Sequence, residues 1–249
     1  MTTTQRIAVV TGGMGGLGEA ICRRLADDGY AVMSMHSPEN RQVGAWLEAQ
    51  QLLGYHFTAV EVDVARFDSC AAAVESIHQQ HGPVSVLVNN ASITRDASFR
   101  KMTQQAWDTV LRTNLDSMFN MSKQVIEDML SLGWGRIINI SSVNSQRGAF
   151  GQANYAASKA GIHGFTKSMA IEFAGKHITV NTVSPGYLRT RMVEKVPPDV
   201  MQERILPEIP VGRLGEPAEV AELVAYLASE RAAFITGANL SINGGQHMY

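Results

Sequence analysis

The chain reads as an α/β protein: a single domain built on a doubly wound, seven-stranded parallel sheet. Three observations predict it. Seven short apolar runs alternate with longer stretches of helical periodicity along the 249 residues, the order expected of repeated strand-helix-strand units. The runs are apolar on consecutive positions, as strands are when helices cover both faces of their sheet. The first run leads straight into a glycine-rich turn, TGGMGGLG at 11–18, and then into a helical pattern.

Strand IAVV at 7–10 precedes that turn and a helix over 17–28 follows it. Strand AVMSM at 31–35 is followed by a helix over 40–53, and FTAVEV at 57–62 by a helix over 67–80. VSVLV at 84–88 precedes a long helix over 104–131, and IINI at 137–140 precedes one over 153–175. ITVNTV at 178–183 leads into a weakly patterned stretch, 187–210, punctuated by Pro197, Pro198, Pro207 and Pro210. Such a stretch suits a mobile segment that covers a site. A helix over 217–228 and strand LSI at 240–242 complete the sheet.

Composition narrows the function. With 45% hydrophobic and 18% charged residues, a net charge of −2 and no basic run, the chain lacks the electrostatic footprint of a nucleic-acid or anionic-membrane binder. Cys22 and Cys70, far apart and without a Cys-x2-Cys companion, predict neither a disulfide framework nor a structural zinc, and no metal site is expected. The N-terminus MTTTQRIAVV lacks the layout of a signal peptide, and no apolar run reaches the roughly 20 residues of a membrane span. A cytoplasmic location is the expectation.

The glycine turn sits at the first strand-helix junction, where glycines permit close backbone approach and the helix N-terminus receives a pyrophosphate. No Gly-Lys-Ser/Thr follows, which excludes a P-loop nucleotide hydrolase. At the end of the second strand an acid would hold the ribose 2′-OH of NAD, but the chain reads Ser34, Met35, His36, Ser37, with no acid before Glu39. Ser37 can donate to a 2′-phosphate and Arg41 can supply charge, which favours NADP (as NADPH); Arg41 is alternatively a solvated residue at a helix start. Asp63, just after the third strand, either bonds the adenine amino group or caps the next helix.

At the other end of the sheet, Tyr155 and Lys159 lie four apart on a helix, hence on one face, after a strand end carrying Ser141 and Ser142. A phenol's ordinary pKa is about 10. An ammonium about 4 Å away at effective dielectric 20 favours the phenolate by about 4 kcal/mol, or about 3 pK units. That brings a tyrosine into the range of a useful acid-base group.

Thr11 to Gly18 as TGGMGGLG, Asn89-Asn90-Ala91, Asn114, Ser142, Tyr155, Lys159 and Ser184-Pro185-Gly186 stand in the order and spacing of a short-chain dehydrogenase/reductase, and the resemblance covers the whole chain. It implies a Rossmann sheet, a homotetramer, and a nicotinamide cofactor held at Gly12, Gly16, Leu17, Gly18, Asn90, Pro185 and Gly186. It also implies roles: Tyr155 as acid-base, Lys159 lowering its pKa and binding the nicotinamide ribose, Ser142 orienting a carbonyl, and Asn114 holding a relay water. Ser92 stands where the family usually has glycine after Asn-Asn-Ala, and its Cβ is expected to crowd the backbone beside the cofactor.

Within the family, ITRDASFRKM, GWGRIINISSVNSQRGAFGQANY, KAGIHGFTKS and SPGY are similar to stretches of the acetoacetyl-CoA reductases of polyhydroxybutyrate synthesis. This resemblance implies NADPH-dependent reduction of an acyl-CoA, acetoacetyl-CoA, to the (R)-3-hydroxy product. The alternatives are a 3-oxoacyl-acyl-carrier-protein reductase and a dehydrogenase of an unrelated alcohol. Carrier-protein enzymes often present arginines at places that fall here on Gly133 and Lys176, and the first charge is absent. Arg95, Arg100, Lys101, Arg147, Arg189, Arg191 and Lys195 are candidates for CoA phosphates; Gln146, Phe150, Gln152 and Tyr187 are candidates to enclose a short acyl chain.

Overall fold

The structure, a computed structural model, describes residues 5–190, 193 and 196–248. Its strands are β1 (Ile7–Val10), β2 (Ala31–His36), β3 (Thr58–Glu61), β4 (Val84–Asn89), β5 (Gly135–Ile140), β6 (Ile178–Pro185) and β7 (Asn239–Ile242). They form one sheet in the order β3-β2-β1-β4-β5-β6-β7, parallel throughout. The winding direction reverses between β1 and β4, and the carboxyl ends of the strands on either side of that point open a crevice.

The helices are α1 (Gly16–Asp27), α2 (Val43–Leu52), α3 (Phe67–Gln80), α4 (Gln104–Leu111), α5 (Ser117–Leu132), α6 (Asn144–Arg147), α7 (Ala153–Phe173), α8 (Pro198–Val200) and α9 (Pro217–Ala228). Strand side chains alternate between two cores. Ile7 and Val9 of β1 pack with Cys70, Val74 and Ile77 of α3 and Met121, Val125 and Met129 of α5. Ala8 and Val10 pack on the other face with Ile21, Cys22 and Leu25 of α1 and Val220, Val224 and Leu227 of α9. Both faces of β1 are thus dry, which accounts for a strand without a polar position. Both cysteines are buried and free, and burial pushes each thiol up to about 12.

Two elements depart from expectation. The helix predicted over 104–131 is interrupted by a π turn, Arg112–Asp116, that separates α4 from α5. The weakly patterned 187–210 stretch holds α8, a π turn at Met201–Ile205 and a 3-10 turn at Leu206–Glu208. Pro198 and Pro207 sit in the first turns of their helical pieces, where a proline lacks no needed N–H. The start of the stretch is anchored, since Arg189 N donates to Gly215 O and Gly215 N to Tyr187 O.

Candidate active site

The glycine turn is shaped by its neighbours. Gly12 adopts φ +62, and a Cβ on Gly18 would lie 2.2 Å from Gly12 O, so the first turn of α1 is pressed against the loop that precedes it. Asn90, just past β4, fixes this turn: its Nδ2 donates to Thr11 O at 2.9 Å and Gly12 O at 3.2 Å, and its backbone N donates to Thr11 Oγ1 at 2.9 Å. Gly15, the residue before α1, offers no side chain to cap the helix, which leaves amides of the first turn open to an anion. A cleft of about 510 Å³ lies against them, lined among others by Gly12, Gly16, Leu17, Gly18, His36, Ser37, Asn40 and Asn90.

The uncapped amides of the first turn of α1 and the cleft against them fit the phosphates of a nicotinamide dinucleotide. Two residues expected at its adenosine end are not on the walls of this cleft. Arg41 is exposed two residues before α2. Asp63 Oδ1 accepts the amide of Ala65 at 3.0 Å, so the carboxylate serves its own turn. Ser37 does line the cleft, and its hydroxyl donates to the Glu39 carboxylate.

A second cavity, of about 290 Å³, adjoins the first and shares Leu17, Asn90, Ser92 and Thr190 with it. Ser142, Gln152, Tyr155, Lys159, Pro185, Gly186 and Tyr187 line it. Ser142 follows β5, Tyr155 and Lys159 project from α7, and Pro185 ends β6 with Gly186 just after it, so strand ends on one side of the switch point and the helix between them supply the set. Asn144 and Gln152 stiffen the entrance: Asn144 Nδ2 donates to Gln152 Oε1, and Gln152 Nε2 to Asp96 Oδ2, both at 2.9 Å.

Tyr155 and Lys159 are close, with Nζ 5.7 Å from the ring centroid. Lys159 is 1% exposed, and its Nζ donates to Ile140 O at 2.8 Å. Burial pushes its pKa down to about 7. The expected lowering of Tyr155 by this ammonium is corrected here: burial raises the Tyr155 pKa, the hydroxyls of Ser142 and Ser92 pull it down by hydrogen bonding, and Asp96 raises it. Ser92 is the residue whose contribution the sequence reading missed, because its absent glycine signalled crowding rather than a hydroxyl beside the phenol.

Asn114 is buried in the π turn. Its Oδ1 accepts Ile93 N at 2.9 Å, and its Nδ2 donates to Ile93 O at 3.0 Å and to Ser158 Oγ at 3.3 Å. It therefore joins the loop after β4 to α7. Helices that bulge in this way do so often at functional sites.

The remaining candidates lie outside the second cavity's walls. Gln146 Nε2 donates to Ser241 Oγ at 3.4 Å, Phe150 is 95% exposed, and Arg95 donates to the neighbouring Thr94 O. Arg147 is paired with Glu208 at 2.9 Å and Arg189 with Glu216 at 2.8 Å. Arg100 and Lys101 are exposed on a 3-10 turn, Phe99–Lys101. Arg191 and Lys195 lie outside the described residues. Gly133, the residue after α5, has φ +62, a backbone that disfavours an arginine there.

Known proteins match this chain over nearly its full length. The family model for short chain dehydrogenase matches residues 6–200. An acetoacetyl-CoA reductase of Cupriavidus necator is 55% identical over 98% of the chain and 99% of its own length. Nodulation protein G of Azospirillum brasilense is 51% identical over 97% of the chain and 98% of its length. A 3-oxoacyl-acyl-carrier-protein reductase of Vibrio cholerae is 43% identical over the full length of both.

Proposed function

Since the chain belongs to the short-chain dehydrogenase family, an oxidoreductase family whose fold binds a nicotinamide cofactor, we propose that it reduces acetoacetyl-CoA to (R)-3-hydroxybutyryl-CoA with NADPH. The observation that carries this reading is the junction of two cavities, one at the glycine turn and one bearing Ser142, Tyr155 and Lys159. A nicotinamide bound in the cleft at the glycine turn would supply a hydride to the carbonyl carbon. Ser142 donates a hydrogen bond to the carbonyl oxygen, and Tyr155 transfers its phenolic proton to the same oxygen as negative charge develops there. The raised pKa of Tyr155 keeps the phenol protonated and ready to donate. Lys159 steadies the phenolate left behind, and Asn114 fixes the Ile93 loop and holds the water that returns a proton.

Gly12, Gly16, Leu17 and Gly18 would hold the phosphates, with Asn90 fixing their turn through Thr11 and Gly12, and Pro185 and Gly186 would border the nicotinamide end. NADP rather than NAD is supported by the run from Ser34 to Pro38, which carries no acid. Glu39 is exposed, so a 2′-phosphate can take the Ser37 hydroxyl from it. CoA rather than a carrier protein is supported by the relatives named acetoacetyl-CoA reductase and by the left-handed Gly133 where an arginine would face a carrier. Tyr187 and Leu188, on the second cavity's wall, would flank the bound acyl chain, and Arg189 and Arg147 would exchange exposed carboxylate partners for CoA phosphates. Such surface pairs hold only about 0–1 kcal/mol. A homotetramer in the cytoplasm completes the reading; no helix among the described residues is long and apolar enough to cross a membrane.

The test is the product. Acetoacetyl-CoA incubated with the protein and NADPH yields, after thioester hydrolysis and chiral chromatography, (R)-3-hydroxybutyrate. The S product, or none, overturns the proposal.

A further inference from the structure

His163 lies on α7 one turn beyond Lys159, half-buried against the turn that carries Ser142. Its Nε2 is 3.1 Å from Ser141 Oγ and 3.3 Å from Ser145 Oγ. Each hydroxyl has a single hydrogen, and each has committed it to a carbonyl. Ser141 Oγ donates to Lys159 O at 2.9 Å, and Ser145 Oγ donates to Ser142 O at 2.5 Å. Toward the imidazole both oxygens can therefore only accept. Nε2 must carry the proton and fork it between them.

Burial and the charge of Lys167 both disfavour the imidazolium, so the ring is neutral with Nδ1 bare. The fork closes a loop of contacts. Ser141 is tied to the backbone of Lys159, Ser145 to the backbone of Ser142, and one ring nitrogen on α7 holds both serines. Ser142 Oγ accepts the amide of Asn144 at 3.2 Å, so its own position follows that of this turn.

We infer that His163 is a positioning residue: as an Nε2–H tautomer it clamps the Ser141–Ser145 turn to α7 and so sets the spacing between the Ser142 hydroxyl and the Tyr155 phenol. This rests on the reading that Ser142 and Tyr155 act on one carbonyl oxygen. His163 lines neither cavity and reaches the second only through Ser141, while it has no contact with the cleft at the glycine turn, so its effect belongs to turnover and not to cofactor affinity.

Two substitutions separate position from packing. His163→Leu keeps bulk and removes the donor; His163→Gln returns an amide N–H at similar reach. In steady-state reduction of acetoacetyl-CoA, His163→Leu lowers kcat by about 10²-fold, the loss expected for reacting groups displaced by about 1 Å. NADPH affinity, read by nucleotide fluorescence, is unchanged, and His163→Gln recovers most of the turnover. Equal loss in both variants, or unchanged kcat in His163→Leu, overturns the inference.

The hydrogen-bond assignment is tested without any reaction by long-range 1H–15N spectra of histidine-labelled protein, with His163→Gln identifying the signal. A pyrrole-like Nε2 and pyridine-like Nδ1 at neutral pH are expected. An Nδ1–H tautomer or an imidazolium overturns the clamp, whereas turnover preserved in Tyr155→Phe overturns the catalytic reading.

Discussion

Tyr155 and Lys159, partners in the proposed reaction, carry opposed pKa shifts. The phenol is held above its ordinary value by burial, and the ammonium is pushed down to about 7 by the same cause. Replacing Tyr155 by Phe removes the proton donor and leaves the cofactor cleft whole. Turnover then falls by roughly 10²–10⁴-fold while the NADPH dissociation constant stays within twofold of about its wild-type value, as stopped-flow and fluorescence titration would show. Lys159 also makes a prediction about stability. An unfolded lysine titrates near 10.5 and the folded one near 7, so between those values the unfolded chain holds more protons and stability rises with pH. The burial penalty is complete below pH 7 and gone above 10.5. Lys159→Met removes it, so its melting temperature relative to wild type is highest near neutrality and declines as the buffer is taken toward alkaline pH. A difference independent of pH would mean that the buried amine carries no such penalty.

At the scale of elements, the glycine turn and α1 act as one piece. A methyl on Gly18 would meet Gly12 O at 2.2 Å, backbone against backbone, so Gly18→Ala destabilises by about 1–3 kcal/mol and weakens NADPH binding more than it slows a saturated enzyme. Chemical denaturation and a cofactor titration read the two effects separately. The inner strands β1, β4, β5 and β6 were legible in the sequence because they are buried along their whole length, whereas the edge strands β3 and β7 are only partly buried and were legible from their place in the strand-helix alternation. Ser142, Tyr155 and Lys159 were legible because their spacing on a strand end and a helix face implies convergence. The π turn at Arg112–Asp116 was not, since one extra residue in a helix leaves the apolar periodicity on either side intact. Nor were the helical pieces of 198–208, where prolines that read as breaks are the first-turn residues that start them. The position of Arg41 and Asp63 off the cleft walls depends on how two turns close on themselves, and the role of His163 on which hydroxyls have already spent their hydrogens. Neither is written in residue spacing.

The whole molecule places two adjoining cavities at one topological switch point, joined through Leu17, Asn90, Ser92 and Thr190. On the proposed function, chemistry is set at the strand ends and the choice of carrier at the exposed rim of Arg95, Arg147 and Arg189. The rim's basic groups are exposed or paired with exposed carboxylates, so their contribution to binding a charged carrier weakens with salt. The most direct measurement is a comparison of initial rates for acetoacetyl-CoA and the corresponding acyl-carrier-protein thioester, each with NADPH and with NADH. The account predicts the highest kcat/KM for acetoacetyl-CoA with NADPH, whereas a higher kcat/KM for the carrier-protein thioester, or for NADH with either substrate, would contradict it.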